Sequence, residues 1–167
     1  NDGWNSFLIK SNGKVVAVGG NDDGNMYGQL GLGHTNNVIT PTTITSLSDI
    51  VKVSHTGAFT LFLKADGTVY SSGSGGSGNL GHGNTNSIST ATQISGLTNV
   101  IDVLCAYGSS FFLIKDGTVK VCGLNNNNQI SPGSTSDITT PTAITGLSDV
   151  VNIASSVQFT FFVINDG

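Results

Sequence analysis

One recurrence constrains this chain more than anything else. The pairs Asn12-Gly13, Asp66-Gly67, Asp116-Gly117 and Asp166-Gly167 return at spacings of 54, 50 and 50 residues in the same setting. Seven residues after each of the first three pairs' Asn or Asp stands a glycine: Gly19, Gly73 and Gly123. Next come Gly28-Gln29-Leu30-Gly31, Gly78-Asn79-Leu80-Gly81 and Asn128-Gln129-Ile130-Ser131. Pro41, Ala91 and Pro141 follow in step, then Leu47, Leu97 and Leu147. The four extra residues of the first repeat fall between Gly19 and Gly28. A period near 50 residues in a 167-residue chain marks an array of supersecondary units, none of which can bury its apolar faces alone.

Each unit reads as β structure. Short apolar runs, Phe7-Leu8-Ile9, Leu61-Phe62-Leu63, Phe111-Phe112-Leu113 and Phe161-Phe162-Val163, each lead into Asn-Gly or Asp-Gly. These pairs accept positive φ at both turn positions and are expected to close two-residue hairpins. Second strands are expected at Val15 to Val18, Val69 to Ser72 and Val119 to Cys122. A third lies upstream of each run from the second onward, at Ile50 to Val53, Val100 to Val103 and Val150 to Ile153, with apolar and polar residues alternating as in Val51-Lys52-Val53. A fourth is expected near Thr43-Ile44, Gln93-Ile94 and Ala143-Ile144. Four short strands per repeat is the arithmetic of a β-propeller blade. The fold class is therefore all-β, a partial propeller of about three four-stranded blades. It forms a single domain over residues 1–167, with blades at about 6–59, 60–109 and 110–159 and with 160–167 starting the next. A β-solenoid is the alternative, but its rungs are shorter and need no hairpin turns.

Composition narrows the function classes. Charged residues make up 10% of the chain against about 25% in ordinary soluble domains. Net charge is −4, and the six basic residues form no cluster, so the electrostatic term that drives nucleic-acid binding is missing. No apolar run approaches the length of a membrane span, so no membrane insertion is expected. Cys105 and Cys122 are too few for a disulfide framework and read as free buried thiols, with a single bridge as the alternative. Ser, Thr, Asn and Gly fill the surface, which points to an extracellular or particle-surface setting, with the cytoplasm as the alternative.

At this point the residues resemble a known family. The stretch Val51-Lys52-Val53-Ser54, then Thr60-Leu61-Phe62-Leu63-Lys64-Ala65-Asp66-Gly67-Thr68-Val69-Tyr70, then Gly73, is similar to the repeat of the regulator of chromosome condensation family. Gly28-Gln29-Leu30-Gly31-Leu32-Gly33, with Pro41 following, resembles its second hallmark. The resemblance implies a seven-bladed propeller, so this chain would be part of a longer ring or would close with other copies. Phe59, Ser109 and Phe159 stand where the family carries His, and Val18, Ser72 and Cys122 where it carries Trp. These departures imply a divergent member that keeps the blade and has drifted in its binding. Trp4 is the only tryptophan, so light sensing by clustered tryptophans, as in one plant branch of the family, gains no support.

Candidate chemistry is sparse. His34, His55 and His82 lack companion ligands in metal-binding spacing. Asp49, Asn99 and Asp149 recur at one phase, which is the mark of a turn role. The run from Gly73 to Gly78 lacks the Lys-Ser/Thr ending and the helix of a phosphate-binding loop. No catalytic, cofactor or metal residues are assigned. The one irregularity in the repeat contains the candidate interaction loop: Asn21, Asp22, Asp23, Asn25, Met26 and Tyr27.

The expected function is a non-catalytic protein-binding or structural scaffold module that engages a protein partner or self-assembles. The Gly-Gln-Leu-Gly turns and the segments 34–40, 84–90 and 134–140 are expected to supply its variable surface. One alternative is a secreted or surface inhibitor or carbohydrate-binding propeller. The resemblance implies another, guanine-nucleotide exchange on a small GTPase. That activity would call for a protruding wedge, and the only insertion is four residues long.

Overall fold

The computed structural model describes residues 5–20, 26–130, 135–155 and 160–165. Among them are thirteen strands and no helix. The strands fall into four antiparallel sheets in chain order. The first holds β1 (Asn5–Ile9), β2 (Val15–Gly19) and β3 (Val38–Thr43). The second holds β4 (Ile50–His55), β5 (Phe59–Lys64), β6 (Val69–Gly73) and β7 (Ile88–Gln93). The third repeats it with β8 (Val100–Ala106), β9 (Ser109–Ile114), β10 (Val119–Gly123) and β11 (Ile138–Ala143). The last holds β12 (Val150–Ser155) and β13 (Thr160–Ile164). From the second sheet onward, each hydrogen-bonded sheet thus begins at the strand upstream of the apolar run, because β4 pairs with β5 and not with β3. A sheet runs from 50 to 93 and the next from 100 to 143, ten residues ahead of repeats phased at 60 and 110.

The core lies between sheets rather than within one. Leu61 and Leu63 point toward the third sheet and join Val100, Val103, Cys105 and Phe112 in one buried cluster. Phe62, one residue out of phase, turns to the first sheet and packs with Val15, Ala17 and Leu30. A third cluster joins Phe111, Leu113 and Val119 to Val150 and Ile153. Period-two alternation with both faces apolar therefore glues each blade to two neighbours. The first strands of successive sheets, β4, β8 and β12, pack against one another, as inner strands around a propeller axis do. β3, β7 and β11 form the outer edge, which is where Pro41 and Pro141 are tolerated without losing a ladder bond.

Two turn features differ from the expectations. Gly13, Gly67 and Gly117 have φ of 72°, 80° and 84°, but Asn12, Asp66 and Asp116 do not enter the positive-φ region. The Lys64 N–H donates to the Thr68 carbonyl and the Gly67 N–H to the Lys64 carbonyl, so the loop spans three residues. The Asp is there for its side chain, which accepts from both the Thr68 N–H and the Thr68 hydroxyl and holds the Asp66 carboxyl below the usual carboxylate range. Asp116 and Thr118 repeat the arrangement. Positive φ falls instead on Asp49, Asn99 and Asp149, at 59°, 58° and 57°, just before each inner strand. Their carbonyls accept from Ala65, Lys115 and Asn165.

The second difference is a bulge at the start of each inner strand, seen as a register shift between Ile50 and Lys52, Val100 and Asp102, and Val150 and Asn152. The extra residue, Val51, Ile101 or Val151, is turned out to solvent. Strict alternation would have placed Val51 on the same face as Val53.

Candidate binding site on the loop face

In both four-stranded sheets the connection between second and third strands is the tight Asp-Gly hairpin at one end of the sheet. The connection between first and second strands, and the long one between third and fourth, lie at the other end. That loop face carries a groove of about 850 Å³ across the boundary between the second and third sheets. Three positions frame it by strict repeat: His55, Cys105 and Ser155 end β4, or stand near the end of β8 and β12, at intervals of 50. The β4–β5 turn adds Thr56, Gly57 and Ala58, and the β8–β9 turn adds Tyr107 and Gly108. Ser74, Gly76, Ser77 and Asn79 enter from the β6–β7 loop, and Phe59 forms part of the floor.

None of these fourteen lining residues is Asp, Glu, Lys or Arg. Tyr107 is 69% exposed at the rim. The turn groups are held by bonds internal to the protein. The Thr56 hydroxyl accepts from the Ala58 and Phe59 N–H groups, each at 3.4 Å. The Gly57 carbonyl accepts from Gln29 Nε2 at 2.9 Å, the Ala58 carbonyl from the Ser74 N–H at 2.9 Å, and the Gly108 carbonyl from the Leu124 N–H at 3.0 Å. The Asn79 amide donates to the Ser74 carbonyl at 2.8 Å. Cys105 is buried, its thiol donating to the Ser54 carbonyl at 3.1 Å, and burial pushes it far above the ordinary thiol range. Cys122 is likewise free and buried, with its thiol pushed up to about 12 by desolvation.

The first two of these turns do not supply the surface that the sequence had led us to expect, whereas Asn128 and Gln129 of the third are exposed. Gln29 and Leu30 are fully buried, and Asn79 and Leu80 nearly so. Each of the first two turns is wedged against the next blade. A Cβ on Gly28 would meet the Ser89 Cα at 2.4 Å, and one on Gly78 the Thr139 Cα at 2.7 Å. The Ser72 hydroxyl donates to the Gln29 carbonyl at 3.1 Å and the Ser110 hydroxyl to the Asn79 carbonyl at 2.6 Å. Ser72 and Cys122, which stand where the family carries Trp, thus face the turn of the preceding blade, Cys122 through its thiol at 3.4 Å from the Asn79 carbonyl. The segments 35–37 and 83–87 are exposed, as the sequence implies for a variable surface.

Of the candidate interaction loop, Asn21, Asp22, Asp23 and Asn25 lie outside the described residues. Met26 and Tyr27 are exposed and lead into the first Gly-Gln-Leu-Gly turn, but neither lines the groove. The groove residues escaped the sequence reading because they sit where the repeat is regular. Only Tyr107 carried a signal, as a bulky residue in an otherwise small turn. Among the histidines, His55 meets Phe7 with ring centroids 5.1 Å apart and planes tilted by 56°, His34 is exposed, and His82 meets the Ser71 hydroxyl at 2.9 Å.

Blades that share their cores and present loops around an axis define a repeat-built β-propeller. The description of the regulator of chromosome condensation (RCC1) repeat matches residues 12–63 and 66–113, and the chain belongs to that family. No curated protein sequence matches it. Among solved structures it is similar to human WBSCR16, at 24% identity and a TM-score of 0.80, covering 98% of this chain and 43% of that one. It is similar to Prp20p of Saccharomyces cerevisiae at 20% identity and a TM-score of 0.74, covering 86% of this chain and 36% of that one. A structure of yeast RCC1 (Prp20) bound to Kap60 matches at 18% identity and 0.80, covering 94% and 39%. At these identities the likeness is one of fold. The chain spans about two fifths of the length of these structures.

Proposed function

We propose that this chain is a non-catalytic protein-binding module that engages its partner through the loop face. The observation that carries the reading is the groove at the boundary of the second and third sheets, whose described lining holds no Asp, Glu, Lys or Arg, with Tyr107 exposed at its rim. Rigid blades hold its loops in place, so little ordering entropy is lost on binding. An exposed tyrosine beside a recess is the kind of residue on which binding energy concentrates. The family supports the reading in kind: Prp20p was studied for its binding to Gsp1p and histones, and yeast RCC1 was solved with Kap60. Nucleotide exchange is not singled out, because the likeness to the solved structures is one of fold.

The test is affinity capture from the source organism with quantitative mass spectrometry. The Tyr107→Ala chain and the Asp116→Asn chain, altered on opposite faces, serve as comparison baits. A protein recovered with the parent and Asp116→Asn chains, and depleted with Tyr107→Ala, is the expected result. Recovery of no protein above background, or equal depletion by both changes, would refute the reading.

A further inference from the structure

We propose that Asn12 is a site of spontaneous chemical modification: its side-chain amide becomes a carboxylate through cyclisation onto the Gly13 nitrogen, and the isomerised product loosens the junction between the first and second sheets. Water is the only co-reactant, and the site lies at the hairpin end of the molecule, away from the groove. Asn12 alone among the chain's asparagines is followed by glycine, the residue that hinders its own amide nitrogen least.

The chemistry follows from the loop. Asn12 and Lys14 are exposed, so water and hydroxide reach the amide. The Asn12 side chain folds back on its own loop, where Oδ1 accepts the Lys14 N–H at 3.2 Å. That carries the amide carbon toward the intervening peptide nitrogen, and a donor on Oδ1 stabilises the negative charge that gathers there on attack. Base takes the proton of the Gly13 N–H. The nitrogen then bonds to Asn12 Cγ, and the side-chain nitrogen leaves with a proton as ammonia. Water opens the resulting five-membered imide, and nothing is oxidised or reduced. Opening at Cγ gives aspartate. Opening at the backbone carbonyl gives isoaspartate, which adds a methylene to the main chain. The folded hairpin restrains the first step, because the Gly13 N–H donates to the Lys10 carbonyl at 2.9 Å and is released only by local opening.

The two products meet different surroundings. A carboxylate at this position is already built into the sister hairpins, at Asp66 and Asp116. Aspartate therefore fits, and it adds one negative charge to a chain of net charge −4. Isoaspartate does not fit. Gly13 lies against the start of the inner strand β4: its carbonyl accepts the Ile50 N–H at 2.9 Å, and a Cβ on it would lie 2.7 Å from the Asp49 Cα. A longer main chain between Asn12 and Gly13 displaces that carbonyl, and with it a hydrogen bond that ties the first sheet to the second.

The experiment holds the native chain at pH 8.5 and 37 °C for four weeks and maps its peptides by mass spectrometry that separates asparagine, aspartate and isoaspartate. Asn12→Asp is the authentic standard for one product. Asn12→Gln, which cannot close the five-membered ring, controls for everything else that incubation does. Asn12 should convert tenfold or more faster than any other asparagine, faster at pH 8.5 than at pH 6.5, and faster still in guanidinium, where the bond to Lys10 is lost. Isoaspartyl chains, enriched by ion exchange, should melt below both the Asn12→Asp chain and the incubated Asn12→Gln chain. Survival of Asn12 in the native chain while the unfolded chain converts would overturn the proposal. So would conversion of another asparagine at an equal rate, or an isoaspartyl chain that melts as the Asn12→Asp chain does.

Discussion

Lys52 and Asp102 hold the same position in successive inner strands, and they pair with each other across the blade boundary. The repeat is broken here: a cation in one blade, an anion in the next, and Asn152 in the third. Identical charges at these stacked positions would repel. Asp102 also accepts from the Val103 N–H at 2.7 Å, which fixes its carboxylate. Both side chains remain partly exposed, so the coupling is modest. A double-mutant cycle with Lys52→Met and Asp102→Asn, read by urea denaturation, should give a coupling of about 0.5–1 kcal/mol that shrinks in 1 M salt. Coupling indistinguishable from zero at low salt would mean that the pair is incidental.

The wedge of the first Gly-Gln-Leu-Gly turn makes a sharper claim. Gly28 and Gly96 both have positive φ, 78° and 71°, so alanine at either incurs the left-handed penalty of about 1 kcal/mol. Only at Gly28 would the new Cβ also strike backbone, 2.4 Å from the Ser89 Cα, whereas at Gly96 nothing lies within 4 Å. Gly28→Ala should therefore cost about 1–3 kcal/mol more than Gly96→Ala, by prising the first blade from the second. Equal losses in thermal melts would show that the turn is not a wedge.

How much of this could be read from the residues follows from what periodicity encodes. Spacing revealed the strands at 61–63 and 111–113 and the apolarity of both faces, because a blade between two neighbours must bury both Leu61 and Phe62. It misplaced Val51, because a bulge leaves no trace in a pattern of apolar and polar residues. It misread the hairpin, because Asp-Gly serves equally a two-residue turn and a three-residue loop capped by the carboxylate. The groove was invisible for a different reason. It is built from Gly57, Gly76 and Gly108, whose contribution is space, and space between blades is a property of their packing and not of any motif.

His82 gives the chain a pH dependence. The single proton of the Ser71 hydroxyl goes to the Leu80 carbonyl at 2.8 Å, so His82 Nε2 must be the donor in its 2.9 Å contact with Ser71. Half-burial holds this imidazole below the usual histidine value of 6.5. Below 6.5 the unfolded chain takes up a proton that the folded chain resists. Stability is thus complete above that pH and drains away as pH falls toward the folded value. The melting temperature should drop between pH 7.5 and 5, and His82→Asn should flatten that part of the profile. An unchanged slope in the variant would assign the dependence elsewhere.

The two thiols should be silent in the native state. With Cys122 pushed up to about 12 and Cys105 higher still, almost no thiolate exists at pH 8, and both sulfurs are buried. Ellman's reagent should label neither cysteine in minutes under native conditions, and should label two per chain in guanidinium. Rapid native labelling of one residue would show that its blade interface opens on that timescale.

The end sheets make the last prediction. Leu8 occupies the position of Phe62 and Phe112, which are fully buried against the preceding blade, yet Leu8 is 64% exposed. Phe161 and Val163 occupy the positions of Phe111 and Leu113, which face the following blade, and they are 60% and 50% exposed. The two bare faces are opposite halves of the one interface that already joins the first sheet to the second and the second to the third. They are therefore complementary by construction, and contact between them is heterologous, free to propagate from copy to copy. Exposed apolar faces of this kind are sticky in water. A preparation of these 167 residues should associate in a concentration-dependent way by light scattering, and Leu8→Asp or Phe161→Asp, each spoiling one half, should shift it toward monomer. Because the faces are unlike halves, a mixture of the two variants should still form dimers through the intact pair, Leu8 of one variant against Phe161 of the other, but should grow no further. A parent chain that stays monomeric across the concentration range would show that these faces do not bind each other.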